Sequence, residues 1–343
     1  MADNFSLVLI IILIMLAVGL AFSIGANDET LSTLVGAGVI KFKLALIIGG
    51  AAIGGGMVAF SSGFVAKTVG ADILGEGITY TTYMLLTVII SSIIWLVVGS
   101  FAGIPLSSTH SLIGSVVGVL IVYSIFQGGV NPETALNWEK LGNVVLSWVF
   151  SPLFGLLITY GLFKILAKTY LSRLKGLNQI EKSERYFKWL LLLSVIFAEI
   201  WVGANSGEAL GILYGLLNNG SLNIGEYYLF AIICGIFSLL GIYFAARYVI
   251  RNLASQMTDA RPSEGLITQI SSAIILMIAT FFGLPISHSH VIVFCIIGMS
   301  LAQKKEIDYK ALGKMGIYWF LTFPIAALMS GLLYYGLILF GLF

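Results

Sequence analysis

The chain has 343 residues, of which 59% are hydrophobic and only 10% charged. Soluble domains carry about 25% charged residues, so the composition excludes an ordinary soluble domain and places the chain in a lipid bilayer. A net charge of +2 is too small to draw the chain to nucleic acid.

In chain order, the first apolar stretch, 5–24, is long enough to span a bilayer, and no basic region precedes it. No cleavable signal peptide is expected there. Further apolar runs follow at 43–66, 81–101, 107–126 and 141–163, then at 189–205, 226–246, 265–283, 286–302 and 315–342. That makes ten segments, five in each half, and the length of the last allows a tilt or a break, so ten to twelve crossings fit. The runs are continuous rather than alternating, which predicts an all-α integral membrane protein and not a β-barrel. Gly49-Gly50 and Gly54-Gly55-Gly56 interrupt the second run and suit close helix approach. Cys234 and Cys295 lie inside apolar runs and are expected to be buried thiols without a disulfide.

Two polar interruptions recur. Gly25-Ala26-Asn27-Asp28-Glu29-Thr30 returns as Gly203-Ala204-Asn205-Ser206-Gly207-Glu208. Pro105-Leu106-Ser107-Ser108-Thr109-His110 returns as Pro285-Ile286-Ser287-His288-Ser289-His290. The two motifs are 80 residues apart in the first half (105 minus 25) and 82 in the second (285 minus 203). This predicts an N-terminal repeat over 1–168, a polar linker over 169–187 and a C-terminal repeat over 188–343. Lys164, Lys168, Arg173, Lys175, Lys182, Arg185 and Lys188 in and beside the linker place it in the cytoplasm. Threading outward puts both termini outside. An odd number of crossings per half makes the repeats inverted, with helix-breaking turns near the midplane, where such repeats place a transport site.

The recurring residues suggest chemistry. Pro105 and Pro285 disfavour helix just before them. The residues that follow, Ser107, Ser108 and Thr109 in one copy and Ser287, His288 and Ser289 in the other, would open helix N-termini. Free amides and hydroxyls there suit an oxyanion. Ordinary Pro-Ser/Thr caps would look the same in one copy; recurrence in both halves favours a binding site. Carboxylates are costly in a bilayer core unless they face a cavity, a cation or each other. With unwound backbone carbonyls, Asn27, Asp28, Asn205 and Ser206 would offer the hard oxygen ligands that Na⁺ prefers. Glu29 and Glu208 fit either that site or the water interface. Glu199, four residues before Gly203 on an apolar stretch, suits orienting helices instead of touching substrate. The three histidines, His110, His288 and His290, all fall in the Pro-containing turns. His110 and His290 occupy equivalent places and would orient the turns; His288 stands opposite Ser108 and would donate to the anion or titrate with transport. No Cys or further His accompanies them at metal-ligand spacing.

Together these four motifs, across the whole chain, resemble the inorganic phosphate transporter (PiT) family, whose members carry G-A-N-D-V-A-N and P-[VL]-S-[ST]-T-H in each of two inverted halves. The resemblance implies cation-coupled phosphate uptake, usually with Na⁺ and in some members with H⁺, no cofactor, and a homodimer in the membrane. It implies that Ser107, Ser108, Thr109, Ser287 and Ser289 hold the anion and that Asn27, Asp28 and Asn205 lie at cation sites. The chain departs from the pattern: the first copy lacks V-A-N after the aspartate, Ser206 stands where the family has Asp, and His288 stands where Thr or Ser is usual. Glu208, one turn on, is placed to compensate for the lost carboxylate. Asp28, like Glu208, favours phosphate, which carries a proton to donate, over sulfate, which does not and is the substrate of permeases in the same family. An anion channel remains the reading from another class. A membrane hydrolase lacks an activated nucleophile or metal cluster, and no G-x-x-x-x-G-K-[ST] loop offers direct ATP drive.

Overall fold

The computed structural model describes residues 2–341 except 27, 29, 102–105, 127–130, 247–249, 251–260 and 308. Among the described residues there are helices and no β-strand. Eight segments among the described residues are long and apolar enough to cross a membrane, and Thr82–Val98 and His288–Gln303 are shorter apolar helices. The chain is therefore a multi-pass helical membrane protein.

In the first half, helix α1 (Ala2–Ala26) ends at the first Gly-Ala-Asn motif, and α2 (Leu31–Gly36) is a short continuation. Then come α3 (Phe42–Ala59), the short α4 (Phe64–Lys67) with a π-helical turn after it, α5 (Thr82–Phe101), α6 (Ser108–Phe126), the single turn α7 (Pro132–Ala135) and α8 (Trp138–Thr169). The second half holds α9 (Leu177–Asn205), α10 (Gly207–Asn218), α11 (Ile224–Gly241), α12 (Pro262–Phe281), α13 (His288–Gln303) and α14 (Tyr309–Leu339). The expected run 43–66 is broken after Ala59 by a turn through Phe60–Gly63. Helix α9 begins twelve residues earlier than the apolar run (177 against 189). Hydropathy marks only the lipid-facing length, whereas the charged first turns of α9 continue the same backbone hydrogen bonding in water. Most of the expected linker is thus helix, joined by a 3₁₀ turn at Leu171–Arg173. Its Glu184 accepts the Ser263 N–H (3.0 Å) and hydroxyl (2.7 Å) at the start of α12.

Helices at matching chain positions exchange partners reciprocally. Helix α3 packs on α9 while α11 packs on α1; α6 packs on α14 while α13 packs on α8. These contacts are backbone-close because of glycine. A Cβ on Gly203 would lie 1.9 Å from Ile53 O, and one on its counterpart Gly25 would lie 2.0 Å from Ser238 O. A Cβ on Gly118 would lie 1.9 Å from Ala327 O, and one on Gly298 2.3 Å from Leu156 O. In lipid, helices associate through such close packing and through hydroxyl bonds, because no hydrophobic force separates helix from lipid. Ser115 supplies the latter: its hydroxyl accepts from Ser91 at 2.8 Å and its carbonyl from Ser330 at 2.8 Å, joining α5, α6 and α14.

Two apolar clusters result. One centres on α1, α5, α6 and α10, with Leu13, Met84, Ile113 and Leu213. The other lies among α2, α3, α9 and α12, with Leu31, Ile53, Val195 and Leu276. Cys234 and Cys295 are buried free thiols, as expected. The polar helix breaks lie between these clusters.

Candidate functional site

Each helix break follows from its sequence. Helix α1 stops at glycine, amide and carboxylate residues, which compete with the helix for backbone groups. The Asp28 N–H still reaches Gly25 O at 3.2 Å, and Asp28 Oδ1 accepts from the Thr30 N–H (3.1 Å) and hydroxyl (2.8 Å). The second copy closes in the same way, with Ser206 N–H to Gly203 O at 3.2 Å. Ser206 Oγ turns back to donate to Val202 O at 2.7 Å.

The Pro-containing turns do open helices. Helix α6 starts at Ser108 and α13 at His288. Ser107 caps its own helix, its oxygen accepting the His110 N–H at 3.2 Å. Ser287 holds the equivalent position without a side-chain cap bond. Such ends leave amide donors unpaired in the first turn.

A cavity of about 610 Å³ lies between the breaks. Its lining gathers every residue expected to touch the anion: Asp28, Ser107, Ser108, Thr109, Ser287, His288 and Ser289. Asn205, Ser206 and Glu208 line it too. Apolar side chains from α1 and α5, including Met15, Leu20, Ile93 and Val97, form the opposite wall. Among the described residues, no lysine or arginine lines it. Asn27 and Glu29, and Pro105 before the first turn, lie outside the described residues.

The side chains are already committed in particular ways. Glu208 Oε1 accepts from Ser108 Oγ at 2.7 Å and from Thr109 Oγ1 at 2.8 Å. A carboxylate from the second half therefore occupies two hydroxyls that the sequence assigns to the anion. Asn205 is a staple: its Nδ2 donates to Thr280 Oγ1 (3.0 Å) and Leu284 O (3.1 Å), and its Oδ1 accepts the Ile286 N–H (3.0 Å). It ties the Gly-Ala-Asn break to the Pro285 turn. Asp28 is 4% exposed, and among the described residues its Oδ2 has no hydrogen-bond partner other than the facing Glu199 carboxyl. His288 lies within electrostatic reach of Asp28.

His110 and His290 lie outside the cavity lining. Their rings meet at 4.7 Å between centroids, and each packs on a tryptophan, His110 on Trp148 at 4.0 Å and His290 on Trp319 at 3.9 Å. Trp148 Nε1 donates to Pro285 O at 2.8 Å. This aromatic pairing braces the two turns against α8 and α14.

Several partners of the site lie outside the four motifs. Gln269 on α12 is fully buried and donates to Thr30 O (3.2 Å) and Thr33 Oγ1 (3.0 Å). Thr280 and Trp148 hold the second turn as described. The available signal was polar residues inside an apolar span, Thr268-Gln269 and Ser271-Ser272 above all, which lipid does not tolerate without partners. Among the described residues, no group of three or more His, Cys, Asp or Glu stands ready to hold a metal ion.

Comparison with known proteins places this arrangement. A "Putative phosphate permease" of Pyrococcus horikoshii is 26% identical, over 97% of this chain and 98% of its own length. A "Probable low-affinity inorganic phosphate transporter" of Bacillus subtilis is 25% identical, over 96% and 97%. The fold matches a solved structure named "The sodium-dependent phosphate transporter" with a TM-score of 0.83, at 24% identity, over 97% of this chain and 99% of that one. Residues 24–330 match the Phosphate transporter family, and the chain belongs to that family.

Proposed function

We propose that the chain imports inorganic phosphate by symport with a cation, and that the cation is Na⁺. Its family is one of transporters, not of enzymes. The observation that carries the reading is the cavity: hydroxyl-bearing helix ends surround it, Asp28 and Glu208 line it, and no lysine or arginine does among the described residues. Hydroxyls and amides can hold an oxyanion. The carboxylates repel it, so an oxyanion enters favourably only when a cation accompanies it. The solved structure that shares the fold is named for sodium dependence, which puts Na⁺ ahead of H⁺.

Phosphate suits the carboxylates better than sulfate. At neutral pH phosphate keeps at least one proton and can donate it in a hydrogen bond to Asp28 Oδ2; sulfate has none to give. To reach Ser108 and Thr109, phosphate displaces Glu208 from those hydroxyls, and the released carboxylate becomes free for a cation. Ser107, Ser287, Ser289 and His288 complete the anion's surroundings; Ser206 and the neighbouring Asn27 offer oxygens to the cation. His110 and His290 orient the turns from behind.

We also propose that residues 1–168 and 188–343 are inverted repeats about an axis in the membrane plane, with 169–187 cytoplasmic and both termini outside. The reciprocal helix packing and the matched turns support it. The homodimer rests on the family resemblance.

Asp28→Asn tests the site. It keeps the size and the Thr30 bonds but removes the charge, and Na⁺-driven phosphate uptake should fall at least about tenfold. Unchanged uptake would remove Asp28 from the mechanism.

A further inference from the structure

One carboxylate has no place in the scheme above. Glu199 is fully buried on α9. Its carboxyl faces Asp28 across the α1 break within hydrogen-bonding reach, and among the described residues neither of its oxygens, nor Asp28 Oδ2, has any other hydrogen-bond partner. Three carboxylate oxygens are thus buried together with only one another for partners. Burying one ionised carboxylate without a partner costs several kcal/mol, and two of like charge cost more. Such a pair persists only if a shared proton or a bound cation neutralises it.

The position is informative. In the repeat register (203 minus 25 is 178), Glu199 corresponds to Ala21, so the first half has no carboxylate there. The first half has Asp28 where the second has Ser206. Glu199 precedes Ser206 by seven residues, about two helical turns along the same face. The second half has therefore lost one carboxylate at its break and carries another two turns back on that stripe. A further neutral oxygen is near: Gln269, whose amide holds the carbonyl of the Thr30 that holds Asp28, keeps Oε1 buried and unpartnered. Carboxylate and amide oxygens of this kind are ligands for a hard cation.

We propose that Glu199 and Asp28 together bind a sodium ion, with Glu199 a cation ligand and not merely a helix-orienting group. This rests on the Na⁺ symport reading and gives it a specific site, next to the cavity that Asp28 lines. The site couples the halves directly, since α9 and α1 must keep both carboxylates on one ion. Glu208, engaged by Ser108 and Thr109 until phosphate displaces it, is then a further cation ligand and not the replacement for the missing aspartate.

The test is binding of ²²Na⁺ to the purified full-length protein in detergent, without phosphate, for wild type, Glu199→Gln and Glu199→Asp. The expected result is saturable binding by wild type, at least about tenfold weaker binding by Glu199→Gln, and partial recovery in Glu199→Asp. Thermal melting in Na⁺-free buffer checks the fold: Glu199→Gln should melt higher than wild type, because a buried unpaired charge is gone, and should lose the stabilisation that Na⁺ gives wild type. Equal ²²Na⁺ binding by wild type and Glu199→Gln would overturn the site, as would a wild type that binds no Na⁺ and carries phosphate on a proton gradient alone. Loss of Na⁺ binding in Glu199→Gln, in a protein that carries sulfate and not phosphate, would sustain the site and refute the substrate reading instead.

Discussion

Asn205 separates the cation-ligand role expected from the sequence from the structural role its contacts describe. As a cation ligand it would offer one oxygen. In the structure it spends three hydrogen bonds on Thr280, Leu284 and Ile286. Asn205→Ala leaves Leu284 O and the Ile286 N–H without partners, while Thr280 Oγ1 keeps its bond to Leu276 O at 2.7 Å. Two orphaned buried backbone groups at roughly 1–3 kcal/mol each give about 2–6 kcal/mol. Interhelical bonds in lipid average only ~0.6 kcal/mol, which points to the lower half of that range. Asn205→Asp is the sharper change. It improves the side chain as a cation ligand but sets an oxygen against Leu284 O, where Nδ2 now donates at 3.1 Å. If the staple dominates, both variants should melt several degrees below wild type in detergent, and both should lose phosphate uptake. An Asn205→Asp protein that melts like wild type and carries phosphate with higher Na⁺ affinity would refute the staple and restore the ligand role.

Other changes follow from the same geometry. Gly203→Ala puts a methyl 1.9 Å from Ile53 O and should abolish monodisperse protein, whereas Gly55→Ala, with nothing within 4 Å, should leave the elution profile unchanged; size-exclusion chromatography reads both. The double change Ser108→Ala and Thr109→Val removes both donors to Glu208 and should raise the half-saturating phosphate concentration at least about tenfold, or 1.4 kcal/mol; an unchanged value would place the anion elsewhere. A cysteine at Ser221, in the turn between α10 and α11, should react with a membrane-impermeant thiol reagent added outside cells, with little background from the buried Cys234 and Cys295; labelling from the cytoplasmic side alone would invert the topology.

Much of this was legible from residue types in register. Helix starts at Ser108 and His288 follow from proline, which cannot sit inside a helix without losing a bond, and from the hydroxyl residues after it. The gathering of both turns and both Gly-Ala-Asn motifs at one cavity follows from the matched spacing of the halves. Pairings across the halves were not legible. Nothing in a linear pattern tells that Glu208 will reach Ser108, one hundred positions away, or that Asn205 will hold the turn at Ile286. Side-chain direction decides these, and it depends on helix rotation set by glycine contacts such as Gly203 on Ile53. Glu199 was visible as a lone acid in an apolar run, but its neighbour Asp28 lies in the other half of the chain, so the pairing of the two carboxyls appears only in three dimensions. The start of α9 at Leu177 was not legible for a simpler reason: its first turns are polar and charged, and hydropathy does not register a helix that has left the lipid.

Uptake into proteoliposomes tests the central claim most directly. Wild-type protein is reconstituted, and radiolabelled phosphate or sulfate uptake is followed under an inward Na⁺ gradient, an inward proton gradient, or neither. The account predicts phosphate accumulation above equilibrium that requires the Na⁺ gradient, with sulfate neither carried nor competing. Uptake that only equilibrates phosphate, indifferent to either cation, would make the protein a channel and contradict the coupling derived from Asp28, Glu199 and Glu208.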